Sequence, residues 1–574
     1  MIQIPRPQQP YDVVVIGSGA GGGMAAKVLT DGGLRVALLE AGGPLNPEKD
    51  FLEHVWPWEL EHRGLLLPKG RGGFGAPNNF SEIDGEPYTV AEDSEFVWFR
   101  SRIVGGRTNH WGRIALRFAP ADFKPYSTDG LGWDWPIGYQ DVAPYYDKTE
   151  AFIGVFGTKE GIPTAPDGIF QPPPKPRCVE LLIKRACDKL RILCVPSRLA
   201  ILTRPLNGRP ACHYCQQCGR GCIPASNFSS SQVLIFPALK SGRLRLITHA
   251  MARELITNDQ GKVTAVSYVD TRTRAEQQVR CRAVVLAASA CESARLLLNS
   301  KSSSFPNGLA NGSGVVGRYL TDTVGASVSG VLPQMSGLPP HNHDGIGGMH
   351  LYCPWWLYEK DRQPDFPRGY HIEFGGGPFM PGVGMFRGAA ARQEGYGLDL
   401  KRALRAGYGV GAGFSGRGEM IPNEKSYCQI DPQVVDRFGI PVLRFHWQWG
   451  ESELRMARHM RQTFEEIIAT MGGKVNPTRT TGPSRRGEGH GFVRGNEINT
   501  PGSIIHELGC IRMGDDPKTS ALNKHCQAHE VKNLFVADAG SFVSNPDKNP
   551  TLTILALAWR ASDYILDQAK KGNL

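Results

Sequence analysis

Three observations predict an α/β fold in which the chain leaves a nucleotide-binding domain and later re-enters it. Near the N-terminus a glycine-rich turn joins a short apolar run to a helix-like segment, V-V-V-I-G-S-G-A-G-G-G-M-A-A-K-V-L. A second buried-strand pattern with a small-residue turn and a helix, A-V-V-L-A-A-S-A-C-E-S-A-R-L-L-L-N-S, occupies residues 283–300. The end of the chain, with L-F-V-A-D-A-G-S-F, returns to the same character.

Taken in order, Val13 to Ile16 read as a short buried strand, Gly17, Gly19 and Gly22 complete G-x-G-x-x-G, and Met24 to Leu29 continue as a helix. The three glycines serve a tight turn, close approach of backbone to a pyrophosphate, and close helix–strand packing. The helix N-terminus then faces the anion. A second strand, Val36 to Leu39, ends in Glu40, eighteen residues beyond Gly22, where a carboxylate can accept a ribose hydroxyl. Strand, helix, strand and acid in this order are Rossmann-like. They do not separate NAD from FAD.

Residues 1–118 form the first part of this domain and include the glycine-rich S-R-I-V-G-G-R-T-N-H-W-G-R. Residues 119–180 are a loop-rich insertion, with a helix expected around Val142 to Val155 and a proline run at Pro172 to Pro176. Residues 181–319 resume alternating elements. Residues 320–500 hold strand-like pieces between turn signals such as G-G-G-P-F-M-P-G-V-G and an amphipathic helix over Glu451 to Met471, which makes them the body of a second domain. Residues 501–574 complete the nucleotide domain. There is no internal repeat.

A length of 574 residues suits two domains, and 41% apolar with 21% charged residues is ordinary for a globular protein. The formal charge of +10 is spread over scattered Lys and Arg, so it reads as a solvated basic surface and not a nucleic-acid site. No apolar run approaches the roughly 18 residues of a membrane span. The start, M-I-Q-I-P-R-P-Q-Q-P-Y, has no signal-peptide core. Cytoplasmic residence and export together with a partner both remain open.

Four of the 13 cysteines are crowded: Cys212, Cys215, Cys218 and Cys222 lie in A-C-H-Y-C-Q-Q-C-G-R-G-C-I-P. The C-x2-C-x2-C-x3-C run is that of bacterial iron–sulfur proteins, except that Ile223 precedes Pro224. Soft thiolates on a tight loop suit an iron–sulfur cluster, with zinc, disulfides and free thiols as alternatives. The other nine cysteines are dispersed and read as buried apolar filler.

His506 in H-E-L-G-C-I-R-M-G and Asn549 in N-P-T-L-T supply an imidazole and an amide that a fold can bring to one site. Oxidising an alcohol removes a hydroxyl proton and a carbon-bound hydride, which requires a base within hydrogen-bond reach of the oxygen and an acceptor facing the carbon. An imidazole with an ordinary pKa near 6.5 is a natural base. The amide can orient the same hydroxyl.

These motifs together resemble the glucose–methanol–choline (GMC) oxidoreductases over essentially the whole chain: Gly17, Gly19 and Gly22 with Glu40, then V-G-G-R-T-N-H-W, V-V-L-A-A-S-A, and H-E-L-G-C-I-R-M-G through N-P-T-L-T-I-L-A-L-A. The resemblance implies the GMC fold, a Rossmann-like FAD-binding domain with a discontinuous substrate domain built on a β-sheet with helices. It implies FAD rather than NAD, with Gly105, Gly106, Asn109 and His110 among the cofactor residues, Asp538 and Ala539 near the pyrophosphate, and Asn549 to Thr551 near the isoalloxazine. In that family a histidine and a His or Asn 43 residues later form the catalytic pair, and Asn549 follows His506 by 43 residues here.

Within the family, the cysteine run and N-H-W are most similar to bacterial sugar and glycoside dehydrogenases, including glucoside 3-dehydrogenases and fructose dehydrogenase flavin subunits. The implied reaction is oxidation of a secondary hydroxyl of a sugar or glycoside, with electrons leaving through a 3Fe-4S or 4Fe-4S cluster. An oxygen-using oxidase of pyranose-oxidase type and a noncatalytic electron-transfer flavoprotein are the alternatives. In some relatives the histidine resembling His110 carries the flavin covalently; in others it lines the pocket. Arg107 and Arg113 beside it are structural or near phosphate. Relatives of this kind work with a small helper subunit that bears the export signal and with a c-type cytochrome, which implies a periplasmic location. Trp355, Trp356, Tyr370, His371 and Phe374 are loose candidates for the substrate pocket.

Overall fold

Three consecutive valines make β1 (Tyr11–Ile16) a strand without a polar face, and Val13, Val14 and Val15 are fully buried. Such a strand belongs inside a parallel sheet covered on both sides. The sheet is extended by β2 (Val36–Leu39), β3 (Leu244–Ile247), β4 (Ala250–Thr257), β5 (Val263–Asp270) and β6 (Glu276–Leu286), in the spatial order β3-β2-β1-β6-β5-β4. β3, β2, β1 and the C-terminal part of β6 run parallel. The first part of β6 instead pairs antiparallel with β5, which pairs antiparallel with β4. Leu534–Val536 adds a parallel strand on the other side of β6. The end of the chain is thereby built into the first sheet. This computed structural model describes residues 9–56, 58–59, 83–338, 345–378, 390, 393, 395–477 and 498–574.

Helix α1 (Ala20–Asp31) follows β1 directly. The helix expected over Val142 to Val155 is α2 (Tyr139–Ile153); Asp141 accepts the Gly138 N–H at its start, and Gly154 at φ +80° ends it. The helix at 178–189 is α3 (Cys178–Lys189), and the strand–turn–helix pattern at 283–300 is the end of β6 followed by α4 (Ala290–Asn299).

The second unit rests on an antiparallel sheet of β7 (Ser327–Val331), β8 (Tyr370–Gly376) and β9 (Gly411–Gly418), in the order β8-β9-β7, with Lys474–Val475 at the far edge. Helix α5 (Glu451–Thr470) crosses β7 and β9. It comes close because β9 is glycine-rich: a Cβ at Gly416 or Gly418 would lie 2.3 Å from the sulfur of Met460 or Met456. The last helix, α6 (Thr551–Lys570), lies along α1 and α2.

Two sets of contacts cross the expected boundaries. α2, placed in the insertion 119–180, packs on α6 of the nucleotide unit. α3, most of which falls after the expected return at 181, packs on α5 and β8, and Val195–Pro196 pairs with Leu351–Tyr352. Burying the apolar face of α3, Val179 with Ile183 and Ala186, decides its place. Among the described residues no helix is long and apolar enough to cross a membrane.

Candidate active site

At the β1–α1 turn Gly17 has φ +94°, and a Cβ there would meet the Ala287 oxygen at 2.3 Å; at Gly22 it would meet the Gly17 oxygen at 1.8 Å. A Cβ at Gly19 would meet nothing within 4 Å, so the N-terminus of α1 opens onto a space, bordered by Gly106. Gly105 donates its N–H to Ser18 Oγ at 2.9 Å, and Asn109 is held by Ser231 at 2.7 Å and the Val104 oxygen at 2.9 Å. Glu40 accepts from the backbone of Gly42 at 2.8 Å and of Ser18 at 3.2 Å, and from the Ser18 hydroxyl. Burial raises its carboxyl above the usual range and these donors pull against that. An open glycine, a helix N-terminus without a side-chain cap and an acid at the end of β2 fit a dinucleotide pyrophosphate and ribose.

Asp538 follows the Leu534–Val536 strand, and its neighbour Ala537 touches this cradle, since a Cβ at Gly21 would lie 1.7 Å from the Ala537 oxygen. The Asp538 carboxylate accepts from the N–H groups of Gly540 at 2.8 Å and Ser289 at 3.0 Å and from the Ser293 hydroxyl. Burial pushes it up to about 6. The side chain therefore shapes the turn that begins at Ala539 and is committed to protein donors.

His506 and Asn549 face each other, with Asn549 Nδ2 3.4 Å from His506 Nε2. The His506 N–H donates to Asp322 Oδ1 at 2.9 Å, and its Nδ1 lies 2.9 Å from Thr323 Oγ1. Ile505, β-branched, has φ +68°, a strained turn immediately before the imidazole. Asn549 also donates to Glu373 Oε1 at 3.3 Å, while its own Oδ1 is buried with no partner among the described residues. Glu373 pairs with Arg417 at 2.8 Å and lies 3.3 Å from His371 Nε2; His371 Nδ1 bonds the Asp547 carbonyl. Thr551 opens α6 two residues beyond Asn549.

The expected ordinary imidazole is not what this environment makes. Burial, then the Arg417 charge, drive His506 down to about 3 against the opposing pull of Glu373. Burial works to raise Glu373, yet Arg417 and His371 hold it at about 2. Beneath the imidazole, burial and the Glu507 charge lift Asp322 to about 7. His506 is thus a neutral acceptor across the neutral range.

Glu373, Arg417, Thr323 and Asp322 were not visible as site residues in the sequence. A readable signal existed for Glu373: H-I-E on a strand puts His371 and Glu373 on one face. The same alternation corrects the aromatic candidates. Tyr370 and Phe374 point the other way, Tyr370 bonding His459 at 2.9 Å and Thr463 at 3.1 Å and Phe374 packing on Phe414 at 6.0 Å. Trp355 and Trp356 are buried against Tyr370, at 5.1 and 5.6 Å. Of the five, His371 alone joins the polar cluster.

His110 is partly buried, with Nε2 2.6 Å from Ser101 Oγ, and burial, aided by Arg113 and Arg107, lowers it to about 3. Arg107 pairs with Glu507 at 2.7 Å and so ties this segment to the residue after His506. Arg113 is buried and donates to the Asn109 oxygen at 2.9 Å. Burial lowers its guanidinium, with negative charge on the sulfurs of Cys218 and Cys222 acting to raise it. Cys212 and Cys218 pack against the buried cluster that holds Ile114 and Leu116, which sets the cysteine loop beside this segment.

Within that loop Tyr214 and Gln216 adopt left-handed φ of 61° and 59°. Tyr214 donates its N–H to Cys212 Sγ at 3.4 Å and Gln217 donates to Cys215 Sγ at 3.5 Å. Cys222 is buried, the other three partly so, and Tyr214 is exposed. The loop thiols are not among the sets of three that converge within 4.8 Å. Among the described residues two other sets are: Cys187 with Cys194 and Cys353, and Cys291 with Cys428 and Cys510. Six of the nine cysteines expected to be dispersed filler therefore meet in threes, brought together by folding from distant segments.

GMC oxidoreductase family models match residues 12–324 and 422–558. The chain is 31% identical over 564 residues to 2-methyl-1,2-propanediol dehydrogenase of Mycolicibacterium austroafricanum, covering 96% of this chain and 95% of that one. It is 27% identical to the fructose dehydrogenase large subunit of Gluconobacter japonicus, covering 98% of each chain, and 28% identical to paromamine 6'-oxidase of Streptomyces fradiae, covering 97% and 91%. Pyridoxine 4-oxidase from Mesorbium loti is similar in fold, with a TM-score of 0.60 at 17% identity over 96% of this chain and 99% of its own.

Proposed function

The chain belongs to the GMC oxidoreductase family, which binds FAD, and from that premise we propose an FAD-dependent dehydrogenase that oxidises a secondary hydroxyl of a sugar or glycoside, C3 among the candidates, to a ketone. The observation that carries this is the facing pair of a neutral His506 and an Asn549 whose buried Oδ1 has no partner among the described residues. Bound FAD supplies the acceptor for the carbon-bound hydride. His506 Nε2 takes the hydroxyl proton while Thr323 holds Nδ1, and the Asn549 amide orients the alcohol oxygen. The Glu373 charge favours the imidazolium as it forms, against Arg417.

His110 is the candidate covalent attachment point for the flavin; a lining role without a bond is the alternative. For electron exit we propose a 3Fe-4S or 4Fe-4S cluster on Cys212, Cys215, Cys218 and Cys222. Support comes from their spacing and from N–H donors aimed at two of the sulfurs. Two relatives are named as a large subunit and as a flavoprotein, gluconate 2-dehydrogenase flavoprotein of Pantoea cypripedii, which supports an assembly with other subunits. We propose a small helper subunit and a c-type cytochrome in those places. Periplasmic residence by co-export goes with that reading. The oxidase reading is favoured by the names of other relatives, paromamine 6'-oxidase among them.

His506→Ala is the direct test. Anaerobic flavin reduction by sugars, glycosides and short diols should slow by roughly 100-fold or more while FAD stays bound. Near-normal reduction removes His506 from the chemistry, and stoichiometric peroxide in air with no dye or cytochrome reduction favours the oxidase.

A further inference from the structure

Cys187, Cys194 and Cys353 reach one point from three segments: the end of α3, the lead into Val195–Pro196, and the residue after Leu351–Tyr352. All three are buried, their sulfurs lie within 4.8 Å of one another, and Cys187 and Cys353 are 3.9 Å apart. An ion bound at about 2.3 Å by three thiolates in one plane separates the sulfurs by about 4 Å. A disulfide needs about 2 Å.

A route in is the second observation. A surface cleft of about 370 Å³ has Cys194 in its wall and is lined by Lys184, Arg191 and Arg362 against one carboxylate, Asp188. The Lys184 ammonium also donates to the Cys194 carbonyl at 3.3 Å. Positive lining offsets the negative charge that thiolates bring to a buried place.

We propose that Cys187, Cys194 and Cys353 bind one thiophilic d10 metal ion, zinc or monovalent copper, entering from this cleft. Its role is structural. Cys353 and Ile372 exchange backbone hydrogen bonds at 3.0 and 2.8 Å, and Ile372 stands between His371 and Glu373. The ion thereby fastens β8, the strand that carries the polar cluster, to α3 and to the Val195–Pro196 strand. The proposal is independent of the substrate and of the electron acceptor.

The test is metal analysis of the full chain with its FAD, purified after growth with zinc and copper. We expect about one equivalent of zinc or copper per chain, beside any iron on the 212–222 loop. Cys353→Ser should lower it to under about a tenth of an equivalent with iron unchanged, whereas Cys215→Ser should keep it. The metal found decides between the two ions. Retention of the ion by Cys353→Ser overturns the proposal, as does a Cys187–Cys353 disulfide peptide in an unreduced digest. Protein purified without zinc or copper is reduced and titrated anaerobically with each; uptake of about one equivalent upholds the site and its absence overturns it. Should Cys353→Ser not fold, X-ray absorption on the wild type decides: three sulfurs at about 2.3 Å uphold the site, and four sulfurs or a nitrogen–oxygen shell overturn it.

Discussion

Glu373→Gln separates a working polar cluster from a row of buried side chains. Glutamine keeps the shape and an acceptor for Asn549 Nδ2, now at 3.3 Å, but removes the charge that pairs with Arg417 at 2.8 Å and faces His371 at 3.3 Å. Breaking a fully buried ion pair costs about 3–5 kcal/mol. Arg417 here keeps bonds to the Ser415 hydroxyl and the Gly416 carbonyl, and its side chain is 18% exposed, so about 1–2 kcal/mol of stability is the expected loss. Catalysis should suffer more. Losing one charge-assisted interaction of about 1.5–3 kcal/mol as the imidazole gains its proton slows the step by about 10- to 150-fold. The assay is anaerobic stopped-flow flavin reduction at saturating substrate, with thermal unfolding of the same preparation. Reduction within about twofold of wild type, in a variant that still melts lower, refutes the catalytic part of the reasoning.

With His506 held at about 3, the acid limb of kcat/KM should fall below pH 5, well under the value near 6.5 of an unperturbed imidazole. The same depression contributes stability that is present above about pH 6.5 and is lost as the pH falls toward 3, because the unfolded chain binds the proton first; melting temperature against pH checks the sign. If His110 holds the flavin, acid-precipitated protein stays yellow, and His110→Ala releases FAD on denaturation; flavin that washes out of wild type assigns His110 to the pocket lining. Cys215→Ser should leave flavin reduction by substrate intact and slow delivery to a cytochrome, and equal loss in both half-reactions would remove the cluster from the electron path.

Much of the candidate nucleotide site could be read from the sequence because its parts are local. Gly17, Gly19, Gly22 and Glu40 lie within one strand–helix–strand unit, where the spacing of glycines and acid answers to backbone geometry alone. Helices at 139–153 and 451–470 were likewise carried by periodicity, with ends moved by a glycine or a capping acid. The resemblance to the GMC family implied that His506 and Asn549, 43 residues on, act as a pair, and the fold sets them 3.4 Å apart. That interval says nothing of what surrounds the pair. Glu373 and Arg417 come from neighbouring strands of the second sheet, and Thr323 with Asp322 from the approach to β7. Their charges and hydrogen bonds decide that the histidine is neutral and aimed, and such fields depend on distances that only packing defines. The cysteines show the same division. A run within eleven residues is visible by eye, whereas Cys187, Cys194 and Cys353 meet only once α3 has buried its apolar face against β8. Side-chain alternation on β8 was in the letters all along, but which face met α5 and which met the site was settled by the sheet that β8 joined.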